Sequence, residues 1–292
     1  MKILILGANG FIGSSVTKVL KNHHNILATA KNASAPIKEI NLLDSHKVIS
    51  VIKDFTPDVI VNCAGVVDNG PGAKLNVDFT RNLLESVKSL GINPKIIICG
   101  SASVYGIVKK EDLPISENYQ LNPVGDYANA KKQEEDFALK FAKENNLDLI
   151  VIRIFNPIGK NMKGRFLVTN IINQISDIKN NLSDNIEVRR KDSLRDYLDV
   201  RDVALAINYI CEKPARHSIY NVGSGVSISN EDLARGLLAF SNLDDNVEIV
   251  ETESEPESLF AAQADISRIK SDFGWQPEYK LAETLKEIAQ WK

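Results

Sequence analysis

Cysteine is scarce in this chain: 292 residues hold three, Cys63, Cys99 and Cys211, an odd number set far apart. Such a set builds no disulfide framework, so the thiols read as buried small hydrophobes. Metal binding is not expected either, because His23, His24, His46 and His217 have no partner ligand three or four residues on. Excess positive charge is also missing. With 35 basic against 38 acidic residues the net charge is -3, which offers no basic field to a nucleic acid. No apolar run approaches the roughly 20 residues needed to span a bilayer. The opening ILIL, four apolar residues before Gly7, is too short for the core of a signal peptide, so a cytoplasmic protein away from membranes is expected.

What is present is a globular balance, 43% apolar and 25% charged. The length suits roughly two units of about 150 residues each. Short apolar runs alternate with longer segments of helical spacing. KILIL (2–6) is followed by Ile12, Val16, Val19 and Leu20, then by NILATA (25–30). DVIVNCA (58–64), KIIIC (95–99) and DLIVIRI (148–154) continue the rhythm, each after a helix-compatible stretch. Continuous apolar strands separated by helices predict an α/β fold, a doubly wound parallel sheet covered on both faces. Beyond Ile154 the rhythm loosens. FNPIGKNMKGRF reads as a loop, 166–178 and 199–212 as helices, and SIYNVGS (218–224) as one more strand. Short helices, the acidic ETESEPES (251–258) and a closing helix over 282–291 complete the chain, predicting a smaller C-terminal domain.

GANGFIG (7–13) joins a strand to a helix, the context in which glycines cradle a pyrophosphate. Gly7 allows the tight turn, Gly10 lets backbone amides approach a phosphate, and Gly13 lets helix and strand pack closely. Asn9, Phe11 and Ile12 share that turn and the first helical residues. A dinucleotide site that prefers NAD usually carries an acid at the end of the second strand, for the ribose 2′-hydroxyl. Here Ala30, Lys31 and Asn32 occupy it. Without that carboxylate, and with Lys31 nearby, a 2′-phosphate is welcome. NADP(H) is favoured, with NAD(H) left open.

DYANAKKQEE (126–135) sets Tyr127 four residues before Lys131 in what reads as a polar helix. The two share a face, which means either packing or chemistry. CGSASVYG (99–106) lies just past a predicted strand, at the sheet edge where open α/β sheets bind ligands. Ser101 can therefore converge with Tyr127 and Lys131. Together, GANGFIG, DVIVNCAG, SASVYG, YANAK, RIFNPIG and LRDYLDVRDVA resemble, in order and over nearly the whole chain, an extended short-chain dehydrogenase/reductase. That group holds nucleotide-sugar epimerases, dehydratases and ketoreductases on a Rossmann-like fold.

The resemblance implies that Tyr127 transfers a proton as hydride moves and itself contacts the cofactor, and that Lys131 tunes it and holds the nicotinamide ribose. Ser101 would bond the substrate carbonyl, with Ser103 as the alternate. It places Leu43 and Asp44 at the adenine edge, Cys63, Ala64 and Gly65 along the cofactor, and Asn156 and Arg195 on a nucleotide-diphosphate sugar. Asn76 takes a structural role. A homodimer paired through 73–90 and 126–144 is implied as well. The dinucleotide-binding domain would comprise 1–155 plus about 195–223, and the substrate domain about 156–194 plus 224–292. Dehydratases of the group carry an acidic pair where this chain has Ala102 and Ser103, so dehydration is disfavoured. The absent second-strand acid favours a reductase of a nucleotide-linked 4-keto-6-deoxy sugar, as in GDP-4-keto-6-deoxymannose reductases. A 4-epimerase that retains NAD is the rival, and a non-catalytic cofactor-sensing module a second one.

Overall fold

The computed structural model describes residues 1–164, 166–243, 247–252 and 261–290; most of the acidic 251–258 stretch and Trp291 lie outside them. The first half alternates β1 (Lys2–Leu6), α1 (Phe11–Leu20), β2 (Asn25–Ala30), β3 (Lys38–Glu39), α2 (Ser45–Phe55), β4 (Val59–Asn62), α3 (Leu75–Ser89), β5 (Lys95–Ser101), α4 (Asp126–Asn145) and β6 (Leu149–Ile154). Along β1 the pleat sends Ile3 and Ile5 into one core and Leu4 and Leu6 into another, on opposite faces of the sheet. Each of these side chains is fully buried and contributes about 2 kcal/mol. A run apolar at every position fits only a strand covered on both sides, as the sequence predicts. Thr56 and Asn146 end α2 and α4 in the left-handed conformation, each returning its N–H to a helix carbonyl.

The second half contributes β7 (Pro157–Ile158), α5 (Leu167–Lys179), β8 (Asn185–Arg189), β9 (Leu194–Asp196), β10 (Leu198–Asp199), α6 (Val200–Glu212), β11 (Ile219–Val222), β12 (Ser227–Ser229), α7 (Asn230–Ala239), β13 (Glu248–Thr252), α8 (Ser267–Phe273) and α9 (Leu281–Ala289). The main sheet has seven parallel strands in the order β11-β6-β5-β4-β1-β2-β3. Strand order reverses between β1 and β4, where the carboxyl ends leave a crevice. α1 and α6 cover one face, and α2, α3 and α4 the other. A third core lies apart from the sheet, among α5, α7, α9, β8 and β13.

Two expectations shift. β5 runs on through Gly100 and Ser101, because Gly100 lies so close to β6 that a Cβ there would sit 2.9 Å from the Ile152 carbonyl oxygen. Ser101 is thus the last strand residue rather than part of a following loop. Residues 194–199 do not enter the main sheet: β9 pairs with β12 and β10 with β7, and only α6 and β11 belong to the sheet's layers.

The C-terminal part is tied down through α6. Asp202 is fully buried and accepts the N–H groups of Glu278 at 2.8 Å and Tyr279 at 3.2 Å. Burial, opposed by those two bonds, pushes its carboxyl up to about 6. The folded protein therefore binds this proton more tightly than the unfolded chain. The group's contribution is full below the ordinary carboxylate range and is lost as pH rises through about 6. Lowering pH from about 7.5 to 5 should shift melting temperature in the parent's favour over Asp202→Asn by about 3 °C, read by thermal unfolding at each pH. A pH-independent difference would refute this.

Candidate active site

The glycine turn closes against the crevice. Gly7 has φ of +74°, and a Cβ there would lie 2.7 Å from Ala64 backbone atoms. At Gly13 a Cβ would stand 2.1 Å from the Gly7 carbonyl oxygen. Only glycines let β1, α1 and the exit of β4 approach this closely. Gly10 caps α1 and donates its N–H to Gly7 O at 3.0 Å, while the helix has no acidic residue in its first turn. The amides that open α1 thus face no carboxylate of their own helix, an arrangement that suits an anion. Asn9 braces the turn by donating to Asn32 O at 3.0 Å, and Phe11 and Ile12 are half-buried beside it. Lys31 is exposed just beyond the end of β2. These residues fit a dinucleotide.

Of the two residues expected at the adenine edge, Leu43 is 44% exposed, and the Asp44 carboxylate accepts the Lys47 N–H at 3.1 Å. Asp44 is the N-cap of α2, a local role that the motif match did not anticipate. Beyond β4, Cys63, Ala64 and Gly65 lead into a loop held by Asn76. That side chain accepts Val66 N–H at 2.9 Å and donates to Val66 O and Ala73 O. Asn76 is structural, as the sequence suggests.

Cys63 and Cys99 end up side by side at the tips of β4 and β5, with sulfurs 3.6 Å apart. Both are half-buried, against the expectation of full burial. The hydrogen bond with Cys99, then burial, push the Cys63 thiol well up, which disfavours the thiolate.

Ser101 ends β5 and opens the turn 102–105. Its Oγ donates to Ser103 Oγ at 2.9 Å and accepts the Ser103 N–H at 3.2 Å. α4 carries Tyr127 in its first turn and Lys131 in its second; Tyr127 is half-buried and Lys131 is 5% exposed. The lysine ammonium donates to Cys99 O at 2.8 Å, two residues before Ser101 on the same strand. The hydroxyl and the ammonium are thereby fixed to one strand end. Burial pulls the lysine's pKa down, but the Glu134 carboxylate and the Tyr127 phenol outweigh it and hold the pKa above the ordinary value.

The reading of α4 as a polar helix is corrected here. Glu134 and Glu135 are 1% and 3% exposed. Glu134 meets Lys131, and Glu135 grips Arg153 of β6 through two guanidinium nitrogens. Arg153 also donates to the Tyr105 hydroxyl and to Glu117 O, both at 2.9 Å, locking α4 and the 102–105 turn onto β6. Sequence reasoning missed Glu134, although its spacing of three from Lys131 is a readable signal for a helical ion pair.

Across the crevice, Asn156 donates to Asp196 O at 2.8 Å, which ties the end of β6 to β9. Arg195, in β9, donates to Leu194 O at 2.9 Å. Burial, then the charge of Arg190, lower its pKa. Two guanidinium groups thus lie within electrostatic reach of each other. The buried Asp196 accepts N–H groups from Ser224, Gly225 and Ala264, fixing the neighbouring loops. A separate cavity of about 260 Å³, lined by Met162, Lys163, Val168, Thr169, Ile172 and Ile288 among others, touches none of the triad. Among the described residues no cluster of His, Cys, Asp and Glu is suited to a metal ion, and no helix is long and apolar enough to cross a membrane.

The GDP-6-deoxy-D-mannose reductase of Pseudomonas aeruginosa is 27% identical over 301 aligned residues, covering 98% of this chain and 95% of the relative. RMD of Pseudomonas aeruginosa, in a structure with NADPH, superposes with a TM-score of 0.85 at 26% identity, covering 99% of this chain and 96% of that one. The UDP-glucose 4-epimerase of Thermotoga maritima, in a structure with UDP-glucose, shares the fold at a TM-score of 0.85 and 22% identity, over 100% of this chain and 98% of that one. The model of the NAD dependent epimerase/dehydratase family matches residues 3–223, so the chain belongs to that family.

Proposed function

We propose that the protein reduces a nucleotide-linked 4-keto-6-deoxy sugar with NADPH, as a cytoplasmic homodimer. The observation that carries this reading is the Lys131 ammonium docked on the strand end that bears Ser101, on the helix turn after Tyr127. Bound NADPH supplies a hydride to the ketone carbon. The chain does the rest. Ser101, whose Oγ is kept in place by the Ser103 N–H, turns its hydroxyl proton from Ser103 to the ketone oxygen. Tyr127 gives that oxygen its proton as the carbon accepts hydride, and the Lys131 charge stabilises the phenolate left behind. The likeness to the Pseudomonas aeruginosa reductase supports this choice of reaction.

Gly7, Gly10 and Gly13 seat the pyrophosphate, with Asn9, Phe11 and Ile12 around them. Cys63, Ala64 and Gly65 pass along the cofactor, Lys131 holds the nicotinamide ribose, and Leu43 meets the adenine edge. Asp44 shapes that edge as the cap of α2. Arg195, with Arg190, draws the sugar's diphosphate, and Asn156 and Ser103 line the sugar side. Residues 156–194 and 224–292 form the substrate lobe; among the described ones α5, α7, α9, β8 and β13 enclose the third core, while α8 packs into the core of the main sheet. The dimer uses α3 and α4, whose Phe137 and Phe141 lie half-buried under Arg81 and Lys88.

Lys31 selects NADPH. Because it is exposed and screened by salt, Lys31→Glu should raise KM for NADPH by only about tenfold while leaving NADH nearly unaffected. Steady-state kinetics with both cofactors test this, and equal effects on the two would remove Lys31 from the site. The reading as a whole is tested by offering NADPH with GDP-, dTDP-, UDP- and CDP-linked 4-keto-6-deoxy sugars. One of them should be reduced, and oxidation of NADPH with none would sink it. The epimerase reading, supported by the shared fold with UDP-glucose 4-epimerases, predicts instead that freshly purified protein carries one tightly held NAD per chain.

A further inference from the structure

A buried polar chain runs from the proton-transfer helix to the glycine turn. Lys131 meets Glu134 Oε2; Glu134 Oε1 accepts the Thr80 hydroxyl at 2.6 Å; Thr80 Oγ1 accepts from Asn62 Nδ2 at 3.2 Å; and Asn62 Oδ1 accepts the Ala64 N–H at 3.1 Å. Every side chain in it is 5% exposed or less. The chain crosses three elements, α4, α3 and the tip of β4, and ends at Ala64, the residue against which Gly7 packs.

A buried ammonium without a counter-ion readily gives up its proton, and an ammonium has three donors to place. Cys99 O and Glu134 take two of the three. Among the described residues, the titratable groups acting on Lys131 are Glu134 and Tyr127 on its own helix and Cys99 on β5. From α3 the group that reaches Glu134 is the neutral Thr80 hydroxyl, and the adjacent Glu135 is engaged by Arg153. Glu134 is therefore the negative charge in contact with the ammonium.

We propose that Glu134 is a positioning residue for the reduction: it keeps the Lys131 ammonium charged and aimed beside Tyr127, and anchors it through Thr80 and Asn62 to the loop at Ala64. Its role in catalysis rests on the reductase reading, whereas its hold on Lys131 does not. The same chain joins the seat of the cofactor to the source of the proton, so both are fixed by one set of hydrogen bonds.

Carbon-13 NMR of the Lys131 side chain, assigned by its loss in Lys131→Met, follows the ammonium without any substrate. In Glu134→Gln the lysine should titrate at least about one pH unit lower than in the parent. In Glu134→Asp, which keeps the charge but withdraws it by one methylene, the midpoint should fall between the two. Should Glu134→Gln fail to fold, the Asp variant's downward shift carries the test. An unmoved lysine midpoint in whichever variants fold overturns the proposal, even if their melting temperatures drop, since lost packing alone lowers those. The alkaline limb of NADPH-dependent reduction should move down with the lysine, with KM for the sugar changed less than about threefold. A limb that stays put while the lysine moves overturns the catalytic part. If the parent reduces no nucleotide sugar at all, the reductase reading fails, and the lysine's shift still decides what Glu134 does to it.

Discussion

Tyr127→Phe should lose between about a hundredfold and ten-thousandfold in kcat while melting within about 1 °C of the parent. The substitution deletes one hydroxyl and keeps the ring, so the half-buried side chain still packs against its surroundings. What disappears, on the proposed reading, is the proton that Tyr127 passes to the nascent alkoxide. On that reading Ser101 cannot replace it, because its own proton would serve to polarise the ketone and no base among the described contacts is placed to restore it. On the proposed reading KM for NADPH should change little, since Lys131 and the glycine turn keep their hold on the cofactor when the phenol's contact is lost. Parallel measurement of NADPH oxidation and thermal unfolding checks both halves. An active Tyr127→Phe variant would show that another group supplies the proton and would bring the binding-module reading forward.

Gly13→Ala should abolish measurable cofactor binding and destabilise the fold by about 3 kcal/mol. The added methyl would stand 2.1 Å from the Gly7 carbonyl oxygen and 2.8 Å from its carbon, both backbone atoms that no rotamer change can move aside. Relief requires α1 to shift off β1. That opens the turn and withdraws the Gly10 cap, while α1 also loses its packing against α6 over a fully buried core. Gly10→Ala is the control for the loss of stability alone, since its Cβ would meet the same oxygen at 3.2 Å, a contact that a shift of a few tenths of an ångström accommodates. Thermal unfolding with and without NADPH measures both losses, because a ligand bound only by the folded form raises its melting point. Gly13→Ala protein stabilised by NADPH as much as the parent would remove the turn from the cofactor site.

The sheet was legible because burial on both faces leaves a signature: KILIL and NILATA coincide with β1 and β2 to the residue. The glycine turn was legible for a related reason, as close backbone approach at Gly7 and Gly13 excludes every other residue type. α4 was located nearly to the residue, yet its character was misjudged. Glu134 and Glu135 look like solvated charges until Lys131 and Arg153 are seen to bury them, and the strand that brings Arg153 alongside lies well downstream in sequence. Hydrophobic pattern reports which face is apolar, and it cannot report a buried face built from paired charges. β7 and β10 were illegible because a pair of two-residue strands carries no period. Arg195 and Asp196 were assigned to the larger domain, while their strand pairs with β12. Asp44 shows motif and local grammar competing at one position: an acid before SHKV is a helix cap, and the carboxylate makes that bond.

Single-turnover reduction with NADPH deuterated at the transferable position of its nicotinamide tests the central assignment most directly. Protein, labelled NADPH and a nucleotide-linked 4-keto-6-deoxy sugar should yield NADP and a sugar carrying one deuterium on the former ketone carbon, at least about a hundredfold faster in the parent protein than in Tyr127→Phe. Unlabelled sugar with intact NADPH, or labelling at equal rates by the parent and the variant, would contradict it.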